Sequence, residues 1–592
     1  MIHRTEPTWF GGARPALPRV LCALAVIALL HGCGADVEPG GQSSDDLVAV
    51  SRPVSEPRPW FVDEAQVRGL DFVHQSGARD GMLLLPEIVG GGAALADFDN
   101  DGDLDIYLVQ SGNGLRSGGA LADQVFVNDG RGSFSAAAAA GHTGYGMGVA
   151  AGDYDNDGDV DLYVTNVGAN ALLQNDGTGH FTDVAAAAGV ADEGWGTAAA
   201  FADFDADGDL DLFVVNYMNW SLRIERECRS RGVSTYCSPN TYQAPAMDRL
   251  YRNDGNASFS DVTSDSGINL AFGNGLGIAV RDIDGDGATD VFVANDKTVN
   301  QLWLNRGQLR FVDEAAFWGC AVDEHGTAKA GMGVATGDTD RDGDVDLLVV
   351  NLEGETDSYY RNDGTYFTDA TVSVGLARGS ANHTRFGVVL ADFDNDGWLD
   401  LYEGNGKVDG NAMAPVDAFA EPNSLYQGVP QTGQDGSGSK VLAGIRFVPV
   451  VPSGGVTAAA LQTTRGVAFG DVDDDGGIDL LVMNRDAAPA LLMNRAARGN
   501  WLKLRVVNRD GRDAIGARVR VRVGARIFVD EVQPAASYLA ANDPRIHVGL
   551  GAATGVDEIS VHWVGGDAEM FKPPPINQVV VLAEGGGRPD ER

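Results

Sequence analysis

From Trp60 to Asn494 the apolar residues come in short runs, each broken by a cluster of Asp, Asn and Gly, and no long helical stripe emerges. A small or apolar stretch such as Gly91 to Ala96 precedes each acidic cluster. An alternating, β-rich stretch such as Leu104-Asp105-Ile106-Tyr107-Leu108-Val109 follows it. Period-two alternation on both sides of a polar turn predicts two strands joined by the acidic loop. A second signature alternates with the first: an Asn-Asp-Gly turn leading to a strand that opens on Phe, as in Asn175-Asp176-Gly177 before Phe181 and Asn253-Asp254-Gly255 before Phe259. Such a turn between alternating runs signals a hairpin, so each unit offers four strands.

The acidic pattern, Asp-x-Asp-x-Asp-Gly-x-x-Asp, starts at Asp97, Asp153, Asp203, Asp282, Asp338, Asp392 and Asp471. Spacings of 50 to 56 residues, stretched to 79 at two insertions, mark one repeated unit. The Phe strands fall at Phe61, Phe134, Phe181, Phe259, Phe311, Phe367 and Phe447, so the series begins with a Phe strand and ends with an acidic loop. An array out of phase at both ends is explained by a ring whose first strand completes the last sheet. The expectation is all-β: a seven-bladed β-propeller over residues 60–498, closed by the Phe61 strand on the blade of Asp471. Further alternating runs, among them Leu502 to Val507 and Glu558 to Trp563, predict a small β-sandwich-like domain over residues 499–586, followed by a tail at 587–592. Arg518, Arg520 and Arg522 share one strand face there, turned either to solvent or to an acidic neighbour.

The 592 residues carry a net charge of −41, which excludes a nucleic-acid binder and points to a cation as partner. The tail from residue 500 onward is neutral, so the excess lies upstream. Each acidic loop presents oxygen ligands at alternate positions and a glycine that wraps the chain, which suits Ca²⁺ with its shell of about six to eight oxygens. The candidate ligands are Asp97, Asp99, Asp101 and Asp105; Asp153, Asp155, Asp157 and Asp161; Asp203, Asp205, Asp207 and Asp211; Asp282, Asp284, Asp286 and Asp290; Asp338, Asp340, Asp342 and Asp346; Asp392, Asp394, Asp396 and Asp400; and Asp471, Asp473, Asp475 and Asp479. An EF-hand would need a Glu at the twelfth loop position, where the first two copies have Leu108 and Val164.

Arg4, Arg14 and Arg19, the apolar run Val20 to Leu30 and a small residue before Cys33 read as a signal over residues 1–32. The tetrad Leu30-His31-Gly32-Cys33 resembles a lipobox, which implies lipidation at Cys33 and anchoring to the cell envelope, the outer membrane being favoured in a diderm host, with secretion as the alternative; the Gly, Ser, Pro and acid of the following stretch read as a flexible tether over 33–59. Cys228 and Cys237 are close enough for a local disulfide in an oxidising compartment, and Cys320 reads as a buried thiol. Phosphate-loop, nucleophile-elbow and His-Glu-x-x-His motifs do not occur. Residues entering the innermost strands supply a candidate channel-mouth ligand site: His142, His325, Lys329, His383, Arg385 and Arg465. The insertions near Tyr217 to Met247 and Lys407 to Lys440 are candidate binding loops.

The repeats resemble the FG-GAP or VCBS repeats of integrin-α-like propellers. The tail motifs, Gly499-Asn500-Trp501-Leu502, Asn508 to Val519, His547-Val548-Gly549-Leu550-Gly551 and Ile559 to Trp563, resemble the ASPIC/UnbV domain. Together they resemble the bacterial relatives of cartilage acidic protein, which implies calcium-dependent extracytoplasmic structure and names no reaction. The functional expectation is a calcium-binding, lipid-anchored scaffold for binding or adhesion to a protein or glycan, touching membrane only through its lipid. The alternative is an extracytoplasmic enzyme or transition-metal site at the channel mouth, with calcium structural.

Overall fold

The computed structural model describes residues 59–590 except 80–81, 113, 117–118, 120, 138–141, 231, 411–416, 435–439 and 459. The expected signal, tether and Cys33 lie outside the described residues. The fold is all-β, dominated by four-stranded antiparallel sheets. The second sheet shows the plan: Gly146–Gly152, the acidic loop, Asp161–Asn166, Ala171–Asn175 and Phe181–Asp183, each strand paired with the next. Its first two strands are buried throughout, so they carry apolar residues on both faces.

Seven sheets follow this plan, and the seventh takes its outer strand from the start of the chain. Phe61, Val62 and Asp63 pair with Asn494, Met493 and Leu492. The first strands of successive sheets pack against one another in a closed cycle that runs from Ala93–Ala96 round to Thr464–Gly470 and back. Two insertions leave this plan. Residues 424–434 and 440–449 extend the sixth sheet as a long hairpin. The other insertion carries a disulfide between Cys228 and Cys237, and the two meet where Thr235 donates to the Val408 carbonyl and Tyr236 packs on Phe419. Cys320 is a buried free thiol.

Adjacent sheets are joined by a repeated contact. In six of the seven sheets an Asn at the turn before the outer strand sends its side-chain amide to two carbonyls, one in its own acidic loop and one at the second position of the preceding loop, while the sixth sheet has Gly428 there. Asn175 reaches Phe98 O and Val160 O, both at 3.0 Å; Asn253 reaches Tyr154 O, Asn305 reaches Phe204 O, and Asn362 reaches Ile283 O. The contact closes the cycle too, since Asn494 reaches Phe393 O and Asn128 reaches Val472 O. The same second-position side chain packs edge-on against the Phe of the next sheet: Phe98 on Phe181, Phe204 on Phe311 and Phe393 on Phe61, with centroids 5.2–5.6 Å apart.

Downstream, a three-stranded sheet built on Asn500–Val507 and a five-stranded sheet built on Arg518–Val523 enclose one core of Leu502, Leu504, Val519, Val521, Ile559 and Trp563. The segment from Ser537 to Ala541 leaves this pair of sheets and enters the cycle. Ala540 and Ala541 add a parallel strand to Ala93 and Ala94, and Tyr538 is fully buried with its hydroxyl on Val89 O.

Replacing Asn305 by Ala leaves the buried Phe204 and Thr289 carbonyls without that donor. It should lower unfolding free energy by about 2–3 kcal/mol, measured by urea denaturation at fixed calcium concentration.

Candidate metal centres

Each acidic loop is wound by its own carboxylates. In the first, Asp97 accepts the amides of Asp101 (3.1 Å) and Gly102 (3.0 Å), and Asp101 accepts that of Asp103 (3.0 Å). The second and third loops repeat this from Asp153 and Asp203. The winding needs a left-handed backbone at the fourth and sixth positions, as at Asn100 (φ 62°) and Gly102 (φ 97°), which is why Gly is kept at the sixth.

The ninth aspartate anchors the loop to the rest of its sheet. Asp105 accepts the Phe98 amide at 2.9 Å on one oxygen and the Asn128 amide at 2.8 Å on the other. Asp161, Asp211, Asp290, Asp346, Asp400 and Asp479 do the same, although Gly428 stands in for the Asn in the sixth sheet. Burial pushes Asp161 up to about 9, Asp211 and Asp290 to about 8 and Asp105 to about 7, with neighbouring loop carboxylates adding to the shift.

These carboxylates converge. Ligand oxygens of Asp97, Asp99 and Asp101 lie within 4.8 Å of one another, as do those of Asp153, Asp155 and Asp161; Asp203, Asp205 and Asp211; Asp282, Asp284 and Asp290; and Asp338, Asp340 and Asp342. Within them Asp99 Oδ1, Asp155 Oδ1, Asp205 Oδ1, Asp282 Oδ1, Asp338 Oδ1 and Asp340 Oδ1 are buried and accept no hydrogen bond. Several acidic clusters of the kind typical of FG-GAP calcium sites are therefore present. Their unpartnered, oxygen-only donors fit a hard cation better than zinc or copper.

The downstream sheets lie over the acidic loops. Arg512 Nε stands 3.9 Å from Asp153, Arg518 donates to Gly343 O at 2.6 Å and stands 3.7 Å from Asp282, and His547 bonds Asn395 at 2.8 Å. Arg518 thus meets an acidic neighbour, whereas Arg520 and Arg522 pair with Glu558. A cavity of about 820 Å³ remains between the first three loops and this cover, lined by Asp97, Asp153, Asp203, Arg505, Arg512 and Trp563 among others.

The six channel-mouth candidates occupy different settings. Arg385 is fully buried, forms an ion pair with Asp357 at 2.7 Å and donates to His383 O. Lys329 donates to Asp357 O and Ser358. Those three therefore share one neighbourhood, next to a buried Glu403 held well above the ordinary carboxylate range, first by burial and then by Asp357. Arg465 is buried on the carbonyls of Ile88, Gly406 and Lys407 and stacks over Phe386. His142 bonds Asn166, and His325 is exposed beside Glu324. In the sequence the inter-sheet asparagines read only as hairpin turns. Asn128, Asn175, Asn253, Asn305 and Asn362 each stand five or six residues before a Phe strand, and that recurrence is the signal the sequence carries.

Residues 97–164, 153–214, 241–293, 282–349 and 338–403 match the FG-GAP-like repeat, and residues 507–589 match the ASPIC and UnbV family. Cartilage acidic protein 1 of Homo sapiens is 28% identical over 361 residues, 58% of this chain and 50% of that protein. The Mus musculus protein of the same name is 27% identical over 503 residues, 81% of this chain and 71% of its own. The chain thus spans half the length of the human relative and more of the mouse one. A solved Agrocybe aegerita structure, described by its recognition of non-reducing terminal N-acetylglucosamine, aligns with a TM-score of 0.35 at 15% identity, covering 67% of this chain and 86% of its own. YCF48 bound to a D1 peptide aligns with a TM-score of 0.36 at 9% identity, covering 71% and 97%.

Raised carboxylate values give the metal-free chain a distinctive pH dependence. Between the ordinary aspartate range and about pH 9, the folded chain holds more protons than the unfolded one, so stability falls as pH rises through that window. In chelator, the thermal midpoint should rise when pH is lowered from about 8 to about 6, and saturating calcium should flatten that trend. A pH series of melts in both buffers tests it.

Proposed function

Starting from a chain that carries FG-GAP-like repeats and an ASPIC and UnbV domain, and that is distantly homologous to cartilage acidic protein 1, we propose that it is a calcium-stabilised, extracytoplasmic binding scaffold. The seven sheets are the blades of a seven-bladed β-propeller over residues 60–498, and residues 499–586 form a β-sandwich seated on its acidic face. The observation that carries the calcium reading is the set of converging carboxylates with buried, unpartnered oxygens. Within each occupied loop the first, third, fifth and ninth aspartates would hold the ion, which supplies the positive charge their mutual repulsion calls for.

The Cys228–Cys237 disulfide supports an exported protein. Lipidation at Cys33 would tether it to the envelope. The interior of the ring is filled by Met147, Met332, Phe386, Tyr538 and Leu539, which supports a scaffold over a channel-mouth reaction centre. A protein or glycan partner would find its best-formed recess in the cavity above the first three loops.

Removing calcium from the purified protein should lower its thermal midpoint by roughly 10 °C or more if several sites empty together, with several calcium ions per chain found by metal analysis beforehand. Asp203→Ala should lower the midpoint even in saturating calcium. Midpoints unmoved by chelation would overturn the proposal.

A further inference from the structure

Among the described residues the seventh loop has the most basic side chains on its carboxylates, although the fourth also meets Arg306, 2.8 Å from Asp284, and Arg518, 3.7 Å from Asp282. Lys503 places its ammonium 2.7 Å from Asp471 Oδ2 and 3.0 Å from Asp474, with both Lys503 and Asp471 buried. Arg68 bonds Asp473 at 3.2 Å, and Arg498 grips Asp475 with two bonds of 2.6 and 2.8 Å. Arg545 adds a 3.1 Å contact to Asp474. In the first and third loops, among the described residues, Asp97, Asp99, Asp101, Asp203, Asp205 and Asp207 have no basic side chain at ion-pair distance. The second has Arg512 at 3.9 Å alone.

The loop's own sequence is shaped for these cations. Its fourth position is Asp474, where the first, second and sixth loops have Asn, and that extra carboxylate is the one Lys503 and Arg545 share. Its seventh position is Gly477, where the first three loops have Asp. A Cβ there would lie 1.4 Å from Arg498 Nη1, and one at Gly476 would lie 2.0 Å from Trp501 Nε1. The glycines leave room for an arginine and a tryptophan that reach in from just beyond the seventh sheet.

We infer that the seventh loop is not a metal site: Lys503, Arg68 and Arg498 neutralise its carboxylates in place of a divalent ion and clamp the C-terminal sheets to it. A dication would have to displace the buried Lys503 ammonium from Asp471 and the bidentate Arg498 guanidinium from Asp475. The clamp rests on the calcium reading of the other loops only for contrast.

The test is the number of calcium ions bound per chain, by metal analysis after equilibrium dialysis, for the wild-type protein, Asp205→Asn and Asp473→Asn, each checked for native circular dichroism. Asp473→Asn should bind as many ions as wild type, and Asp475→Asn replaces it with the same expectation if it does not fold. A loss of one ion in either variant overturns the inference. Asp205→Asn should lose one; if it does not, the calcium reading of the third loop fails while the clamp stands.

Discussion

Everything in the ring of sheets hangs on a buried carboxylate that must hold two backbone amides. The ninth aspartate of each loop fixes the loop's second residue with one oxygen and the start of the following hairpin with the other. Once those ends are tied, the second residue's carbonyl and side chain both face the next sheet. There the Asn amide and the Phe ring complete the joint. The inter-sheet joint thus follows from an intra-loop bond. Removing a buried, doubly bonded carboxylate costs more than its own two bonds, since the amides it leaves are buried as well.

The same carboxylate creates the electrostatic problem of the fold. Three or four acids within a few ångströms, one of them buried, raise one another's pKa and are unfavourable without a counter-charge. Geometry that builds the ring therefore also gathers carboxylates into candidate cation sites. The tail adds to this economy, because its signature segments are its docking surfaces. Gly499 donates to Asp394 O, Gly551 donates to Asn395 O, and a Cβ at Gly549 would lie 1.8 Å from Asp392. Gly499, Gly549 and Gly551 are explained by the approach of the tail's backbone to the acidic loops.

Repetition made most of this legible. Seven copies of one loop and seven Phe strands, out of phase at the two ends, place the Phe61 strand on the sheet of Asp471, and there Phe61 pairs with Asn494. Contacts between distant segments leave no such period. Nothing in the spacing of Asn175 shows that its amide reaches back to Phe98, because an Asn-Asp-Gly turn accounts for the residue locally. Nor does an alternating run reveal that Tyr538 and Leu539 leave their own domain to fill the ring. Arg385 and Arg465 looked like ligands for a polar mouth; instead Arg385 pairs with Asp357 and Arg465 caps inward-facing carbonyls, a use of long cationic side chains that depends on neighbours from other repeats.

Charge distribution then separates loops that share a motif. Among the described residues the first and third loops have no basic side chain at ion-pair distance from their first, third and fifth aspartates, and they face a cavity, which leaves them open to a cation from solution. The seventh receives Lys503 and Arg498 from the chain just beyond it and Arg68 from the chain just after the closing strand. That is the point where the ring is joined by non-covalent contacts alone, since the outer strand and its neighbour lie at opposite ends of the sequence. A counter-charge supplied by the chain cannot be lost when the ion concentration falls. Placing it at the closure keeps that seam tied under conditions in which loops that rely on dissolved cations loosen.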